Sequence, residues 1–522
     1  MEGAEPLQCY RIGVRANDRA QNWVLVAAIV GSSMSFIDGS AVNVALPILQ
    51  RDLHADAAQL QWVVEGYALF LAALILMGGS LGDRFGRRLI FSIGIGVFAA
   101  ASLVCALAQN VESLVFARCI QGCGGALATP GSLALISANF TGEARGRAIG
   151  TWSGFASITA AGGPVLGGWL AQTFSWRWVF LINLPLALVV LAVCVFRVPE
   201  SRDEQAPRSL DGIGAGLATF GLGTLVFGLI RLQVNIRDWI GLATLVLGTV
   251  LLVIFVLYER GTRDPMLPPS LFASRTFSGA NIYTFVLYAA LGGSLYFLPF
   301  TLIDVQHYSP VAAGAALLPF VFIQFFFSRW SGGLVARIGA RTPLVLGAIF
   351  AGVAFALFAL PGIGGSYWLT YFPASFALGI GGALFVAPLT TAVFDSAPTG
   401  QAGIASGVNN AVARTAGLIA VAVLGIVLTT VFDRTFDRRI ATAPVSAQTR
   451  AYAADHRAVF AAGTVPQQIA AADRAATDDV VRHGYLDGFR AVMIVAAIGC
   501  LIAAGIAALT ISGRSHDVPK SV

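Results

Sequence analysis

Long apolar stretches alternate with short polar connections along nearly the whole chain. A helix needs about 20 apolar residues to cross ~30 Å of hydrocarbon, so each stretch predicts a membrane-spanning helix. The pattern predicts fourteen spans, at about 24–46, 60–80, 90–108, 113–136, 148–171, 178–197, 213–231, 239–258, 279–303, 311–335, 343–361, 367–392, 403–431 and 487–511. An even number of spans places both termini on the same side of the membrane.

Composition agrees with a polytopic membrane protein of the all-α class. The 522 residues are 57% hydrophobic and 11% charged, whereas soluble proteins carry about 25% charged residues. The first apolar stretch is too long for the core of a signal peptide and no small-residue cleavage site is evident, so we expect it to remain in the mature protein.

Arginines predict the orientation of the spans, because cytoplasmic loops carry an excess of positive charge. One set of short connections, together with the N-terminal tail, holds most of them: Arg11, Arg15, Arg19, Arg84, Arg87, Arg88, Arg145, Arg147, Arg202, Arg208, Arg260, Arg263, Arg337 and Arg341. The opposite short connections hold little beyond Arg51, Arg177 and Arg237. Both termini are therefore expected in the cytoplasm, and the protein in the plasma (inner) membrane.

Residue counts exclude several classes of chemistry. The only lysine is Lys520, so the chain has no phosphate-binding loop of the ATPase type, which needs a lysine after its glycines. Active transport must then draw on an ion gradient or on a separate ATPase. The six cysteines lack metal-site spacing, and no nucleophilic arrangement suggests an enzyme. We expect no metal, no cofactor, no ATP and no nucleic acid partner.

An internal repeat divides the chain into two halves. GSLGDRFGRR at 79–88 and GGLVARIGAR at 332–341 match at five positions, with a constant offset of 253 residues. The repeat predicts two six-helix bundles around a central cavity, with two extra helices between them. The predicted domains are an N-terminal tail (1–23), a first bundle (24–197), two linker helices (213–258), a second bundle (279–511) and a C-terminal tail (512–522). An outer segment at 432–486 is expected to be partly helical, and its sequence indicates no role.

Asp38 lies in the middle of an apolar stretch, where an ionised group costs about 2.5–3.5 kcal/mol. Small and polar residues share its helix face, which suits a helix contact or a wet cavity. Asp38 either takes and releases a proton or is paired permanently with an arginine. Arg118 in the fourth span is the natural partner, for Asp38 or for Glu65. Glu65 in the second span either relays protons or contacts a cationic substrate, or else reaches interfacial water.

Several motifs resemble those of the major facilitator superfamily. GSLGDRFGRR resembles its loop signature, ARCIQGCGGALATP (117–130) its fourth-span motif, and AAGGPVLGG (160–168) its antiporter motif. IDGSAVNVALP (37–47), WVVEGYAL (62–69) and SWRWVFLINLP (175–185) are similar to the fourteen-span drug:proton antiporter branch, of the multidrug efflux type. The resemblance implies two bundles that rock about a central site. Thr159 and Ala336 depart from the family pattern.

Two motifs are expected to control conformation. The glycines of the GDRFGRR loop permit a tight turn, and Asp83 can pair with arginines across the bundle as a latch; a plain positive-inside anchor is the alternative. The latch residues are Gly79, Asp83, Arg84, Gly86, Arg87 and Arg88. In the fifth span, small residues allow close helix contact and a proline permits a bend; these are Gly163, Pro164, Gly167 and Gly168.

The predicted function is proton-coupled export of lipophilic small molecules, cationic ones included, across the plasma membrane. Candidate cavity residues are Asn43, Trp62, Tyr67, Gln121 and Asn409, although Trp62 could instead be a membrane-interface anchor and Asn409 could instead hydrogen-bond between helices. Asp304 and His307, at the outer end of the ninth span, are expected to be solvated. A proton-coupled importer of the same fold is the alternative. Protons, the substrate and the lipid bilayer are the expected partners, and an envelope partner protein is left open.

Overall fold

The computed structural model describes residues 5–140, 142–202, 211–262, 265, 267, 269–396, 402–460, 465–466 and 468–512. The regular elements of these residues are all helices. In chain order they are α1 (Glu5–Leu53), α2 (Ala57–Phe85), α3 (Arg87–Leu107), α4 (Val111–Asn139), α5 (Gly142–Thr173), α6 (Trp178–Leu181), α7 (Asn183–Arg197), α8 (Gly212–Val234), α9 (Trp239–Gly261), α10 (Arg275–Phe300), α11 (Pro310–Ala315), α12 (Leu318–Ile338), α13 (Arg341–Phe358), α14 (Tyr367–Thr370), α15 (Phe372–Asp395), α16 (Ala402–Thr442), α17 (Ala447–Asp455), α18 (Arg457–Phe460) and α19 (Ala471–Thr510). A π-helical turn, Thr301–Val305, follows α10.

Thirteen helical stretches of the described residues are long and apolar enough to cross a membrane. They coincide with thirteen of the fourteen predicted spans, and the remaining prediction, the fifth span, lies in α5, a helix of 32 residues. The all-α, many-span class predicted from the apolar pattern is therefore confirmed, with a count one below the predicted fourteen. The chain is a multi-pass membrane protein.

The two extra helices pack beside the junction of the two halves. α8 packs against α9, and it also contacts α2 of the first half and α16 of the second. The hydrophobic cluster at this contact joins Leu69 and Ala73 of α2 to Val226 of α8 and Leu418 of α16. The exposed face of α9 consists mainly of apolar side chains, including that of Val246.

The internal repeat extends to backbone geometry at one end of the bundle. Gly86 follows the last residue of α2 and has φ +123°, and Gly339 follows the last residue of α12 and has φ +75°. These two glycines are 253 residues apart, the offset found in the sequence repeat. Positive φ is strained for residues with a Cβ, which explains why glycine occurs at both positions.

The same offset recurs at the opposite end of the bundle. His54 and His307 have φ of 51° and 57°, and the residues that follow them cap the next helix. Asp56 accepts a hydrogen bond from the backbone N–H of Gln59, and Ser309 caps α11 in the same way. We call this end the outer side, following the orientation predicted from the arginines.

The outer segment 432–486 is built on extensions of two long helices. α16 runs to Thr442 and α19 begins at Ala471, with α17 and α18 between them. Asp473 accepts hydrogen bonds from the hydroxyls of Ser446 (2.6 Å) and Thr449 (2.7 Å), while Phe436 packs on Phe460 with ring centroids 5.1 Å apart. The described parts of the segment are thus packed against one another and against the extensions of α16 and α19.

Candidate transport site

Asp38 lies fully buried on α1, at a place where small residues let other helices approach. An ideal Cβ at Gly31, two turns earlier, would lie 2.5 Å from the Phe91 ring of α3. On the other side, a Cβ at Gly167 of α5 would lie 2.6 Å from the backbone oxygen of Ala41. Since neighbouring helices close over α1 on both sides, the Asp38 side chain has 0% exposure.

Arg118 of α4 forms an ion pair with Asp38. The Nη1 of Arg118 lies 2.6 Å from Oδ2 of Asp38, and the exposed fractions of the two side chains are 1% and 0%. The guanidinium also donates to the backbone oxygen of Val63 (2.9 Å) and to Oε1 of Gln121 (2.7 Å). The charge of Arg118 is therefore satisfied by one carboxylate and two neutral acceptors.

Polar side chains from three further positions complete the network around Asp38. Its Oδ1 accepts from Nε2 of Gln121 (2.9 Å) and from Nδ2 of Asn183 (3.3 Å). Asn183 also donates to the hydroxyl of Ser102 (2.9 Å), which in turn donates to the backbone oxygen of Phe180 (3.0 Å). Ser102 and Asn183 were not predicted as site residues from the sequence. Each is a polar residue within an apolar stretch, which could have indicated a buried hydrogen-bond partner.

Aromatic rings cover the guanidinium of Arg118. Its Cζ lies 4.3 Å from the ring centroid of Tyr67 and 5.7 Å from that of Phe180. Such cation–π contacts are stronger when the cation is removed from water. Of the predicted cavity residues, Tyr67 and Gln121 are thus in direct contact with the ion pair.

Glu65 is a second buried carboxylate, separate from the first. Its exposure is 1%, which overturns the alternative that its head reaches interfacial water. Its Oε1 lies 3.5 Å from Nε2 of Gln61, and its Oε2 has no hydrogen-bond partner among the described residues. Arg118 pairs with Asp38 and not with Glu65 in this conformation.

The remaining predicted cavity residues lie elsewhere. Trp62 packs toward the extra helix α8, with its ring centroid 6.4 Å from that of Phe227. Asn409 donates to Asn281 (3.2 Å) and to Thr284 (2.7 Å) of α10, so it makes interhelical hydrogen bonds. Asn43 is half-buried on α1, and its Oδ1 has no partner among the described residues.

The GDRFGRR loop is held together inside the first half. Asp83 pairs with Arg87, 2.7 Å away. The predicted pairing with arginines across the bundle, expected in one orientation only, stays a prediction. Glu200 accepts hydrogen bonds from the backbone N–H groups of Arg88 (3.0 Å) and Leu89 (3.1 Å) and so caps the start of α3. The guanidinium of Arg84 lies 5.0 Å from the Phe85 ring, and a Cβ at Gly79 would be 3.7 Å from Pro130.

Replacement of Gly86 by alanine is expected to destabilise this loop. The new Cβ would lie 2.8 Å from the carboxyl carbon of Glu200, at a φ of +123°, so a penalty of about 1–3 kcal/mol follows. Thermal unfolding in detergent measures it. The matched control is Gly96→Ala in α3, where nothing lies within 4 Å and alanine is expected to stabilise the helix by about 0.5–1 kcal/mol. Equal unfolding temperatures for the two variants would contradict this account.

The glycines of α5 lie at close helix contacts, one of which joins the two halves. Gly163 meets Ser40 and Gly167 meets Ala41, both on α1, while Gly168 meets the backbone of Pro310 at the start of α11. Reciprocally, Gly314 of α11 meets the backbone of Pro164. The glycines and the proline therefore allow α5 to touch both halves near the outer side.

At the same side, Asp304 is not solvated as predicted. Its side chain is 5% exposed and forms an ion pair with Arg51 of α1, whereas His307 is exposed. Two residues that the sequence interpretation left without a role are thus joined across the halves. Among the described residues, no group of three His, Cys, Asp or Glu side chains could hold a metal ion.

Comparison with characterised proteins gives consistent matches. The sequence-family model of the Major Facilitator Superfamily matches residues 28–422 of this chain. The chain is 32% identical over 507 residues to the tetracenomycin C resistance and export protein of Streptomyces glaucescens, covering 94% of this chain and 92% of the relative. It is 34% identical over 487 residues to the puromycin resistance protein of Streptomyces alboniger, covering 92% and 89%.

Solved structures share the fold at low sequence identity. A bacterial homologue of the human lysosomal transporter Spinster, in an inward-facing and unoccupied conformation, superposes with a TM-score of 0.65 at 16% identity, over 98% of this chain and 100% of the other. A peptide transporter in complex with sulfate gives 0.61 at 13% identity, over 95% and 96%. Because the family model matches most of the chain, we conclude that the protein belongs to the major facilitator superfamily of transporters.

Proposed function

We propose that this protein is a proton-coupled antiporter that exports lipophilic small molecules, cationic ones included, across the plasma membrane. The observation that carries the proposal is the fully buried Asp38–Arg118 pair inside a network of neutral polar groups. The printed functions of the relatives, resistance to tetracenomycin C with its export and resistance to puromycin, support the direction of transport and the class of substrate.

The network suits a carboxylate that changes its protonation state. When Asp38 is ionised, it holds the guanidinium of Arg118 and accepts from Gln121 and Asn183. When Asp38 carries a proton, Arg118 still has the carbonyl of Val63 and the amide oxygen of Gln121 as acceptors. Removing one charge of a buried pair otherwise costs about 3–5 kcal/mol, and the two neutral acceptors reduce that penalty.

The proposed cycle couples this change to the rocking of the two halves. In the outward-open state Asp38 takes a proton from outside as substrate leaves. The bundle then opens inward, the proton is released to the cytoplasm, the pair with Arg118 re-forms and new substrate binds. The driving force is about 1.36 kcal/mol per pH unit and about 2.3 kcal/mol per charge for each 100 mV. In this orientation both termini are cytoplasmic.

Glu65 has a separate part in the proposal. It is buried, and among the described residues no cation contacts it and one of its oxygens has no partner. A proton or the positively charged group of a substrate would bind this carboxylate. We therefore assign Glu65 to the recognition of cationic substrates. A Glu65→Gln variant is expected to lose transport of cationic compounds and to retain transport of neutral ones.

Inverted membrane vesicles with a pH-sensitive dye test the proposal. Each compound of a panel that includes tetracenomycin C and puromycin is added to vesicles with an imposed pH gradient. We expect at least one compound to dissipate the gradient with the wild type and not with Asp38→Asn. The matched control is Asp52→Asn, which removes a half-exposed carboxylate of the same helix and should behave as the wild type. Equal dissipation by Asp38→Asn would make Asp38 a structural residue only.

A further inference from the structure

An ion pair joins the two halves at the outer side. Arg51 lies at the end of α1 in the first half, and Asp304 lies in the π-helical turn that follows α10 in the second. The Arg51 side chain is 55% exposed, whereas Asp304 is 5% exposed. The pair therefore connects a solvent-facing arginine to a buried aspartate across the junction.

The two partners occupy equivalent positions of the internal repeat. Arg51 and Asp304 are 253 residues apart, the same offset that relates the GDRFGRR loop to its copy and His54 to His307. A pseudo-two-fold axis that relates the halves therefore passes between Arg51 and Asp304. When the halves rock symmetrically about such an axis, equivalent positions at one end of the bundle separate from each other as that end opens.

The two carboxylate oxygens of Asp304 have different surroundings. Oδ1 faces Arg51, and Oδ2 is buried without a hydrogen-bond partner among the described residues. The π-helical turn is held from α19, where Arg482 donates twice to the backbone oxygen of Val305 (2.6 and 3.0 Å). π-Helical turns of this kind are frequent at functional sites.

The charged and titratable groups around Asp304 are few among the described residues, and one of them, Arg482, is held on the backbone oxygen of Val305. Arg51 faces it from α1, and Tyr485 of α19 interacts with it electrostatically. Tyr296 of α10 interacts electrostatically with Tyr485, and α11 carries no titratable residue. The neighbouring Asp52 is engaged elsewhere, with Arg177 (3.0 Å) and the indole N–H of Trp176 (2.6 Å). Arg51 is therefore the cation that offsets the buried charge of Asp304.

We propose that Arg51 and Asp304 form the outer gate, and that Asp304 is a proton-binding site that opens it. A proton from the outer medium binds Oδ2 of Asp304, the carboxylate loses its charge, and Arg51 is released to water. The outer side then opens and gives the medium access to Asp38. The pH response deepens the proposed antiport function and rests on it, whereas the gating contact itself requires no substrate.

The distance between the two halves at the outer side tests this gate. Spin labels are placed at Gln109→Cys in the first half and Ser366→Cys in the second, both exposed positions, in a background without the six native cysteines. As the pH falls from about 8 to about 5, we expect the wild type to gain a population with a longer distance. Asp304→Asn is expected to show that longer distance already at the higher pH, with a closed-to-open ratio at least about fivefold lower.

Two comparisons separate a gate from a merely structural contact. Asp52→Asn breaks an ion pair inside the first half and should leave the distance distribution unchanged. Arg51→Gln should open the outer side as Asp304→Asn does, and the double variant should add little, because both single changes remove the same contact. Unchanged distances in Asp304→Asn, or opening that still follows pH, would overturn the proposal. Since no substrate is present, either result would leave Asp38-dependent proton coupling to be judged by the vesicle experiment.

Discussion

Replacement of Arg118 by glutamine is expected to lower the free energy of unfolding by about 3–5 kcal/mol and to abolish substrate-driven proton movement. Among the described residues, the variant leaves the carboxylate of Asp38, which has 0% exposure, with the amide donors of Gln121 and Asn183 alone. Neutral donors do not replace a cation in contact at 2.6 Å. Thermal unfolding in detergent and proton flux in vesicles measure the two effects.

A double variant keeps this prediction testable if the single variant folds poorly. Asp38→Asn with Arg118→Gln removes both charges, and replacement of a whole buried pair is often neutral for stability. We expect the double variant to unfold near the wild-type temperature and to lack proton coupling. Arg177→Gln is the control, since its pair with Asp52 is 36% and 49% exposed and contributes about 0–1 kcal/mol. Proton-coupled transport by the double variant would show that the pair only stabilises the bundle.

Replacement of Gly168 by alanine is expected to shift the protein toward an outward-open state by about 5- to 150-fold. A Cβ at Gly168 would overlap the backbone of Pro310 on the opposite half. Overpacking of a close contact costs about 1–3 kcal/mol, and separation of the halves at the outer side relieves it. The spin-label distance between positions 109 and 366 measures the shift, and export should slow because the closed state is disfavoured.

A neighbouring glycine provides the control for this prediction. Gly162 lies on the same helix but is exposed, and nothing lies within 4 Å of its ideal Cβ. Gly162→Ala should therefore leave the distance distribution unchanged. Gly314→Ala approaches the same interface from α11, where the new Cβ would meet the backbone of Pro164, and should reproduce the Gly168→Ala effect. Identical distances in Gly162→Ala and Gly168→Ala would mean that this contact does not set the conformation.

Much of the fold could be predicted from the sequence because it depends on local patterns. Apolar length predicts a span directly, so thirteen of the fourteen predicted spans coincide with suitable helices. Glycine at position 86 and its copy at 339 could be predicted to end helices, since positive φ favours glycine wherever it occurs. The outer segment was harder to predict: its alanines predict helix, but tertiary contacts such as those of Asp473 and Phe436 hold it in place.

The candidate site could be predicted only in part. Asp38, Glu65 and Arg118 are conspicuous because charges are rare in apolar stretches, and their burial follows from that. The partners of these residues come from distant parts of the chain, such as Asn183, 145 residues from Asp38. For the same reason the sequence could not show that Asp304 is buried against Arg51, whereas the pair of Asp83 with Arg87 is local, four residues apart along the chain. Residue type indicates what a side chain can do, whereas tertiary packing decides which partner it meets.

Proton movement driven by a substrate gradient tests the central claim most directly. The purified protein is placed in liposomes without an imposed pH gradient or membrane potential, and an active compound from the vesicle panel is loaded on one side. With the wild type, protons are expected to move opposite to the compound, and Asp38→Asn is expected to show no such movement. Proton movement in the same direction as the compound, or compound movement with no change in pH, would contradict this claim.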